Sequence, residues 1–289
     1  MNELCIMMLV NKRYTPYVPW FIFFAAKAYP EYPVRVYSTD PLAPGEKKSL
    51  EALQGMSDWW VGENCFQRYK HDAFVLKSLR WLIYPSEVLD FQNVYIGDID
   101  MLLFRESPTL LDYHLARCEQ LKLPYSNRVR AGSDMKDAEA RLMGVHFAKN
   151  EWFAQTQFIR QKYLAMAGTP NLRVVVKTAS NEGLLYQIAK QRFGLPPVDP
   201  TPVYEYHGIH LGIWRDPARR DPATVLDREK YRQQIYPDAY LGYYAKYCEL
   251  KSTPEFQFLW RQTPGLQSVF RCMEQFSEYL KSNVKRYYP

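Results

Sequence analysis

The stretch Tyr95-Ile96-Gly97-Asp98-Ile99-Asp100-Met101-Leu102-Leu103-Phe104 sets two aspartates, two residues apart, into an otherwise apolar run. Burying an unpaired carboxylate costs far more than burying a methylene, so two of them in such surroundings call for a positive partner. Val94, Tyr95 and Ile96 read as a buried strand and Gly97 as its end. Residues two apart in extended chain point to the same side, which lets Asp98 and Asp100 share one ligand, and a divalent cation is the natural one. An Asp-x-Asp is common by chance; the apolar frame is what makes this one a candidate site.

Upstream, residues 4–10 read as a buried strand, 19–28 as a helix with Pro19 in its first turn, and 34–38 as a second strand. Strand, helix, strand in that order predicts a parallel pair. After the turn at Pro41 to Gly45, residues 46–53 form a short helix. Residues 71–84 place Phe74, Leu76, Leu79, Leu82 and Ile83 at helical spacing, stop at Pro85 and lead directly into the acidic strand. Downstream, the polar, glycine-containing residues 126–136 read as a loop near the site, and residues 142–148 return to strand character. Residues 150–167 read as a helix capped by Asn150. Ser180 or Asn181 caps another, with Leu184, Leu185, Ile188 and Ala189 on one face. Residues 203–206 are a short strand, and 217–237 a charged, proline-punctuated excursion.

At 289 residues and 47% hydrophobic content the chain can bury a full core and is globular. Its formal charge of +6 comes without a dense basic block, which suits an anionic small substrate or a membrane surface and speaks against nucleic acid as a partner. Five scattered cysteines with no C-x-x-C imply a reducing compartment and no structural zinc. The amino-terminal apolar run stops at Asn11 without a basic flank, and residues 17–29 are too short to span a bilayer, so a cytoplasmic protein is expected. The 23 Tyr, 15 Phe and 7 Trp suit an aromatic surface and core, or stacking on sugars or a base.

From Leu266 onward Val269, Phe270, Met273, Phe276 and Leu280 lie at helical spacing, ringed by Arg271, Lys281, Lys285 and Arg286. Such a helix either docks on its own domain or attaches peripherally to the inner face of a membrane.

A second unusual string is His207-Gly208-Ile209-His210-Leu211-Gly212-Ile213-Trp214-Arg215. Imidazole binds manganese while carboxylates hold its other side, so His207 and His210 are both candidate ligands beside Asp98 and Asp100; Leu-Gly after it favours His210. Lys77 and Arg80 stand on the helix that precedes the acidic strand. Glu182, at a helix start, is the candidate carboxylate for a reacting carbon, beside Asn181.

In order and spacing over residues 4–215 the chain resembles the GT-A fold nucleotide-sugar glycosyltransferases, most of all glycosyltransferase family 8, the galactosyl- and glucosyltransferases. The family's Tyr-containing nucleotide loop is matched by Leu9-Val10-Asn11-Lys12-Arg13-Tyr14-Thr15-Pro16-Tyr17, and its Arg-bearing helix by Leu79-Arg80-Trp81-Leu82-Ile83-Tyr84-Pro85. Its Gly-Val strand and Trp-containing helix resemble residues 144–152, its Asp-Gln-Asp element is met by Asn181-Glu182-Gly183, and its His-x-x-Gly metal motif by residues 207–214. Here Ile213-Trp214-Arg215 replaces the family's Lys-Pro-Trp.

The resemblance implies an α/β GT-A fold with a mixed, mostly parallel central sheet over residues 1–250 and a helical carboxy-terminal extension over 251–289. It implies donor contacts at Val10, Asn11, Tyr14, Tyr17, Lys77, Arg80, Asp98 and Ile99, and a Mn2+ or Mg2+ site at Asp98, Asp100 and His210 or His207. The activity implied is metal-dependent transfer of a hexose from a nucleotide-diphosphate sugar, UDP-linked, to a glycan or lipid-linked acceptor in surface polysaccharide synthesis. A metal-dependent phosphohydrolase using the same acidic pair, or a catalytically silent sugar- or nucleotide-binding module, are the alternatives.

Overall fold

The computed structural model describes residues 2–69, 73–129, 140–167, 169, 172, 180–197, 207–215, 221–227 and 236–287. Its first strand, β1 (Asn2–Val10), sends Leu4, Ile6, Met8 and Val10 into one core and Cys5 and Met7 into another. A strand covered on both faces reads as an apolar run without alternation, the pattern of a parallel sheet with helices on each side. Helix α1 (Val18–Ala28), β2 (Val34–Ser38), α2 (Pro44–Glu51) and β3 (Trp59–Gly62) follow. Helices α3 (Ala73–Leu82) and α4 (Ser86–Leu89) lead to β4 (Phe91–Ile96) and, past the acidic turn, to β5 (Met101–Leu103). Next come α5 (Leu110–Leu121), β6 (His146–Lys149), α6 (Asn150–Met166), α7 (Asn181–Phe193) and β7 (Gly208–His210). Four helices, α8 (Pro222–Asp227), α9 (Pro237–Lys251), α10 (Pro254–Gln262) and α11 (Gln267–Tyr287), close the described chain.

The main sheet has the order β3-β2-β1-β4-β6, with β6 alone antiparallel to its neighbour. This is the mixed, mostly parallel sheet that the sequence predicts. From β1 the chain builds outward through β2 and β3, then returns to add β4 on the other side of β1. At such a switch the crossover helices diverge and leave a crevice outside the carboxyl ends of the two central strands. A separate antiparallel ribbon pairs β5 with β7 and sits beside that crevice.

One sheet face is covered by α1 and the carboxy-terminal helices. Trp20 of α1 is fully buried; its ring lies 4.8 Å from Phe256 and 4.6 Å from Phe270, and its Nε1 donates to Thr263 Oγ1 at 2.8 Å. The other face is covered by α3, α6 and α7, with Trp81, Trp152, Leu184 and Ile188 at its centre.

The carboxy-terminal stripe corrects one expectation. Val269, Phe270, Met273, Phe276 and Leu280 of α11 are all buried against the protein, and Trp214 meets Phe276 at 4.5 Å between ring centroids. The apolar face that a membrane surface would need is therefore already covered, because α1 and the turn at Leu211–Arg215 offer it dry protein surface. Arg271, Lys281, Lys285 and Arg286 remain on the exposed side. Among the described residues no helix is long and apolar enough to cross a membrane.

Local boundaries differ in instructive ways. The strand predicted over 142–148 begins only at His146, with Leu142 limited to an isolated bridge to Val129. Asn150 is the first helical residue, not the cap, and its side chain donates to Leu89 O at 2.9 Å. Ser180 does cap α7, its Oγ accepting from Glu182 N at 3.2 Å. The strand expected at 203–206 lies outside the described residues, as do most of the 126–136 loop and much of 217–237.

Candidate active site

β4 ends at Ile96, and the chain turns through Gly97 and Asp98 with Met101 N donating to Asp98 O at 3.2 Å. The ribbon register then sets Met101 opposite His210, and Leu211 N donates to Asp100 O at 2.8 Å. That pairing brings the His210 imidazole over the acidic turn, with Nε2 3.2 Å from Asp100 Oδ1. Two glycines make it possible. A Cβ at Gly208 would stand 1.8 Å from Leu102 O, and one at Gly212 would stand 2.6 Å from His210 Nε2 and 2.8 Å from Asp100 Oδ2.

One ligand atom from each of Asp98, Asp100 and His210 lies within 4.8 Å of the others. The set fits a divalent cation. Asp100 is buried, no donor among the described residues is aligned to hydrogen-bond its Oδ2, and two carboxylates with one imidazole make the oxygen-rich donor set that Mn2+ or Mg2+ takes. Basic side chains reach the same carboxylates. Arg80 Nη1 lies 2.7 Å from Asp98 Oδ1, and Arg215 Nη2 lies 3.0 Å from Asp100 Oδ2. Burial works against the ionised Asp100, but His210 and Arg215 outweigh it and hold its carboxyl below the ordinary aspartate range. Burial also works against a charged His210, and Asp100 with Asp98 outweigh it, so its imidazole is held above its ordinary value.

These groups line a cavity of about 200 Å³ at the carboxyl ends of β1 and β4. Ten of the residues singled out in the sequence meet there: Asn11, Tyr14, Lys77, Arg80, Asp98, Ile99, Asp100, Asn181, Glu182 and His210. Asn181 is oriented unambiguously. Its Oδ1 accepts from Arg80 Nη2 and from Trp81 Nε1, both at 3.1 Å, and since both partners can only donate, the amide nitrogen must be the other end. Gly144 separates the acidic pair from Glu182; a Cβ there would stand 3.1 Å from Asp98 Oδ2 and 3.3 Å from Glu182 Oε1. Arg141 Nη1 lies 3.9 Å from Glu182 Oε2.

Three singled-out residues stand elsewhere. Val10 is buried in β1, with its carbonyl engaged by Thr39 N at 2.9 Å. Tyr17 is buried behind the loop, where desolvation pushes its phenol up to about 12. His207 is turned away from the aspartates: its Nδ1 bonds the Glu106 carboxylate and its Nε2 lies 3.0 Å from His114 Nε2. His210 is therefore the histidine that the fold brings to the acidic pair. The main functional side chain missed in the sequence is Arg215, which lines the cavity and lies 4.8 Å from the Tyr14 ring centroid. Its signal in the sequence was its place at the end of the histidine string.

No protein-family model matches this sequence, and no curated protein does. Among solved structures, the chain is similar to the glycosyltransferase GlyE of Streptococcus pneumoniae TIGR4, at 12% identity and a TM-score of 0.47 over 98% of this chain and 64% of that one. It is also similar to core-mannan synthase A (CmsA/Ktr4) of Aspergillus fumigatus in its Mn/GDP form, at 8% identity and a TM-score of 0.43 over 67% of this chain and 71% of that one. A third is the galactosyltransferase LgtC in complex with donor and acceptor sugar analogues, at 15% identity and a TM-score of 0.34 over 60% of this chain and 69% of that one. The chain thus spans less than two thirds of the GlyE chain.

Proposed function

We propose that this chain is a GT-A type glycosyltransferase that moves a hexose from a nucleotide-diphosphate sugar, UDP-linked, to a hydroxyl of a glycan or lipid-linked acceptor. Asp98, Asp100 and His210 hold its Mn2+ or Mg2+. The observation that carries the reading is the charge pattern of one small cavity. Three carboxylates, Asp98, Asp100 and Glu182, and three basic side chains, Lys77, Arg80 and Arg215, share it. The acidic pair alone would repel a diphosphate, and the basic residues alone would need no acidic turn. A diphosphate bridged by a divalent cation satisfies both sets at once.

The chemistry follows from what each side chain can do. The bond between the anomeric carbon and the diphosphate oxygen breaks, a bond to the acceptor oxygen forms, and the acceptor's proton leaves. When bound, the cation supplies Lewis-acid neutralisation of the departing diphosphate. Lys77 and Arg80, which line the same cavity, would add positive charge beside the departing diphosphate, which counts for most where water is excluded. Glu182 presents its carboxylate across Gly144 from Asp98, at the wall of the same cavity. There it either takes the acceptor's proton or steadies positive charge on the anomeric carbon, and the configuration of the product distinguishes the two. Asn181 offers an amide N–H to a sugar oxygen.

The test is thermal melting with UDP, GDP, CMP and dTDP sugars, each with Mn2+ and with EDTA, followed by an acceptor screen on the best ligand. A ligand bound only by the native state raises the melting temperature, and the expected result is a rise with a UDP-sugar that EDTA abolishes. Release of phosphate from simple esters would identify a phosphohydrolase instead. Nucleotide binding without turnover against any acceptor would identify a silent binding module.

A further inference from the structure

We propose that Arg215 is an internal counter-ion, one that occupies Asp100 until the divalent cation arrives and is then passed to the diphosphate of the incoming donor. The inference rests on the metal-dependent reading above and adds to it a competition within the protein. Both oxygens of Asp100 are met by basic side chains. His210 Nε2 lies 3.2 Å from Oδ1 and Arg215 Nη2 lies 3.0 Å from Oδ2. A cation ligated by Asp100 would sit beside that guanidinium, and two like charges at such range in a half-buried site repel strongly. One of them has to move.

The two arginines of the site are not equally held. Arg80 is fixed on several sides: Nη1 on Asp98 Oδ1 at 2.7 Å and Gly97 O at 3.5 Å, Nη2 on Asn181 Oδ1 at 3.1 Å, and the guanidinium 4.2 Å from the Trp81 ring centroid. Arg215 has one carboxylate and one ring, Asp100 and Tyr14. Its Nε and Nη1 are buried without a hydrogen-bond partner among the described residues. Arg215, whose electrostatic partners include Asp100 and the phenol of Tyr14, thus keeps Nε and Nη1 without a geometric hydrogen bond among the described residues, at the edge of a cavity where a phosphate oxygen would accept from them. Tyr14 lines the same cavity, so the guanidinium can leave Asp100 and still keep contact with that ring. Its backbone stays anchored meanwhile, because Trp214 is buried against Phe276 of α11.

Such an exchange couples the two ligands. Bare cation has to displace Arg215 with nothing to receive it, whereas cation arriving with a nucleoside diphosphate gives the guanidinium a bidentate partner. Each ligand then raises the affinity for the other by the same factor.

The experiment titrates Mn2+ into the full-length chain, with free Mn2+ read by electron paramagnetic resonance, with and without UDP, at mildly alkaline pH where protons compete least for His210. Arg215→Gln is expected to bind bare Mn2+ roughly tenfold tighter than the wild type and to bind UDP in the presence of Mn2+ roughly tenfold weaker. Arg215→Lys keeps the competing charge and should leave bare Mn2+ affinity near the wild-type value. It also serves if the glutamine variant folds poorly. Bare Mn2+ affinity unchanged or weaker in Arg215→Gln, with a wild type that does bind Mn2+, overturns the exchange alone. Absence of Mn2+ binding in the wild type and in both variants overturns the metal-dependent reading and the exchange with it.

Discussion

Gly212→Ala adds a single methyl group at the point where the metal reading is most exposed to test. That methyl would stand 2.6 Å from His210 Nε2 and 2.8 Å from Asp100 Oδ2. Comfortable contacts need about 3.5 Å, so each of the two side chains must retreat by roughly 0.7 to 0.9 Å. Gly212 does not occupy the left-handed region of backbone space, so the effect is steric and not conformational. Both atoms that must move are the ends of side chains, and a mild overpacking of this kind costs about 1 kcal/mol, or about 2–4 °C in melting temperature. Metal geometry is far less forgiving, since ligand distances hold within about 0.2 Å. Two of the three ligands would be displaced by several times that tolerance, and Mn2+ affinity should fall by roughly ten- to a hundredfold or more. Calorimetric titration of Mn2+, paired with thermal melting in EDTA, reads the two effects separately. Gly265→Ala, where a Cβ meets nothing within 4 Å, is the control. Wild-type Mn2+ affinity in Gly212→Ala would refute the assignment of Asp100 and His210 as ligands; a drop in melting of tens of degrees would refute the steric argument.

Three further outcomes follow from the same cavity. Glu182→Gln keeps size and helix position but removes the charge facing the reacting carbon, so donor affinity should stay near the wild-type value while turnover falls roughly a hundredfold or more; unchanged turnover in a steady-state assay would remove Glu182 from the chemistry. Asn181→Asp still accepts from Arg80 and Trp81 but replaces the amide donor with an acceptor. Calorimetry should therefore show UDP affinity preserved and UDP-sugar affinity reduced roughly tenfold, with equal losses for both arguing that the residue acts on the diphosphate instead. The third is a pH dependence of opposite sign in two assays. His210 is held above its ordinary value, so its pairing with Asp100 adds stability that is complete below the ordinary histidine range and is lost as pH rises through the folded value. Asp100 is held below its ordinary value, so its contribution is present above the ordinary aspartate range and is lost as pH falls through the folded value. A metal needs the neutral imidazole, so Mn2+ affinity should instead tighten as pH rises through neutrality; a flat Mn2+ affinity from mildly acidic to mildly alkaline pH would take His210 out of the ligand set.

What could be read in the sequence, and what could not, divides along the distance over which the deciding interaction acts. The strand before Gly97, the helix stopped at Pro85 and the cap at Ser180 are set by neighbours within a turn or two, and their positions are legible. So is the parallel β1–β2 pair, because a strand, a helix and a strand this close have few ways to meet. The choice between His207 and His210 is of another kind. Both lie in one string, and what separates them is the register of a three-residue strand against β5, more than a hundred positions earlier in the chain. In that register His210 faces Asp100, while His207 falls beyond the paired residues and is taken by Glu106 and His114. The amphipathic stripe of α11 is legible as a stripe, yet periodicity states only that one face is apolar and not what covers it; Trp20, Trp214 and the rest of the first core decide that. Arg215 escaped for the same reason that left His207 and His210 both open as candidates. Its partner, Asp100, is remote in sequence and adjacent only because β7 and the Leu211–Arg215 turn run back along β5. The acidic pair announces in the sequence that a positive charge is needed, and the fold then supplies one from either of two sources, two arginines or a divalent cation. A site that can be neutralised by its own side chains can stay folded while empty, as the proposed cycle of binding and releasing a charged product would require.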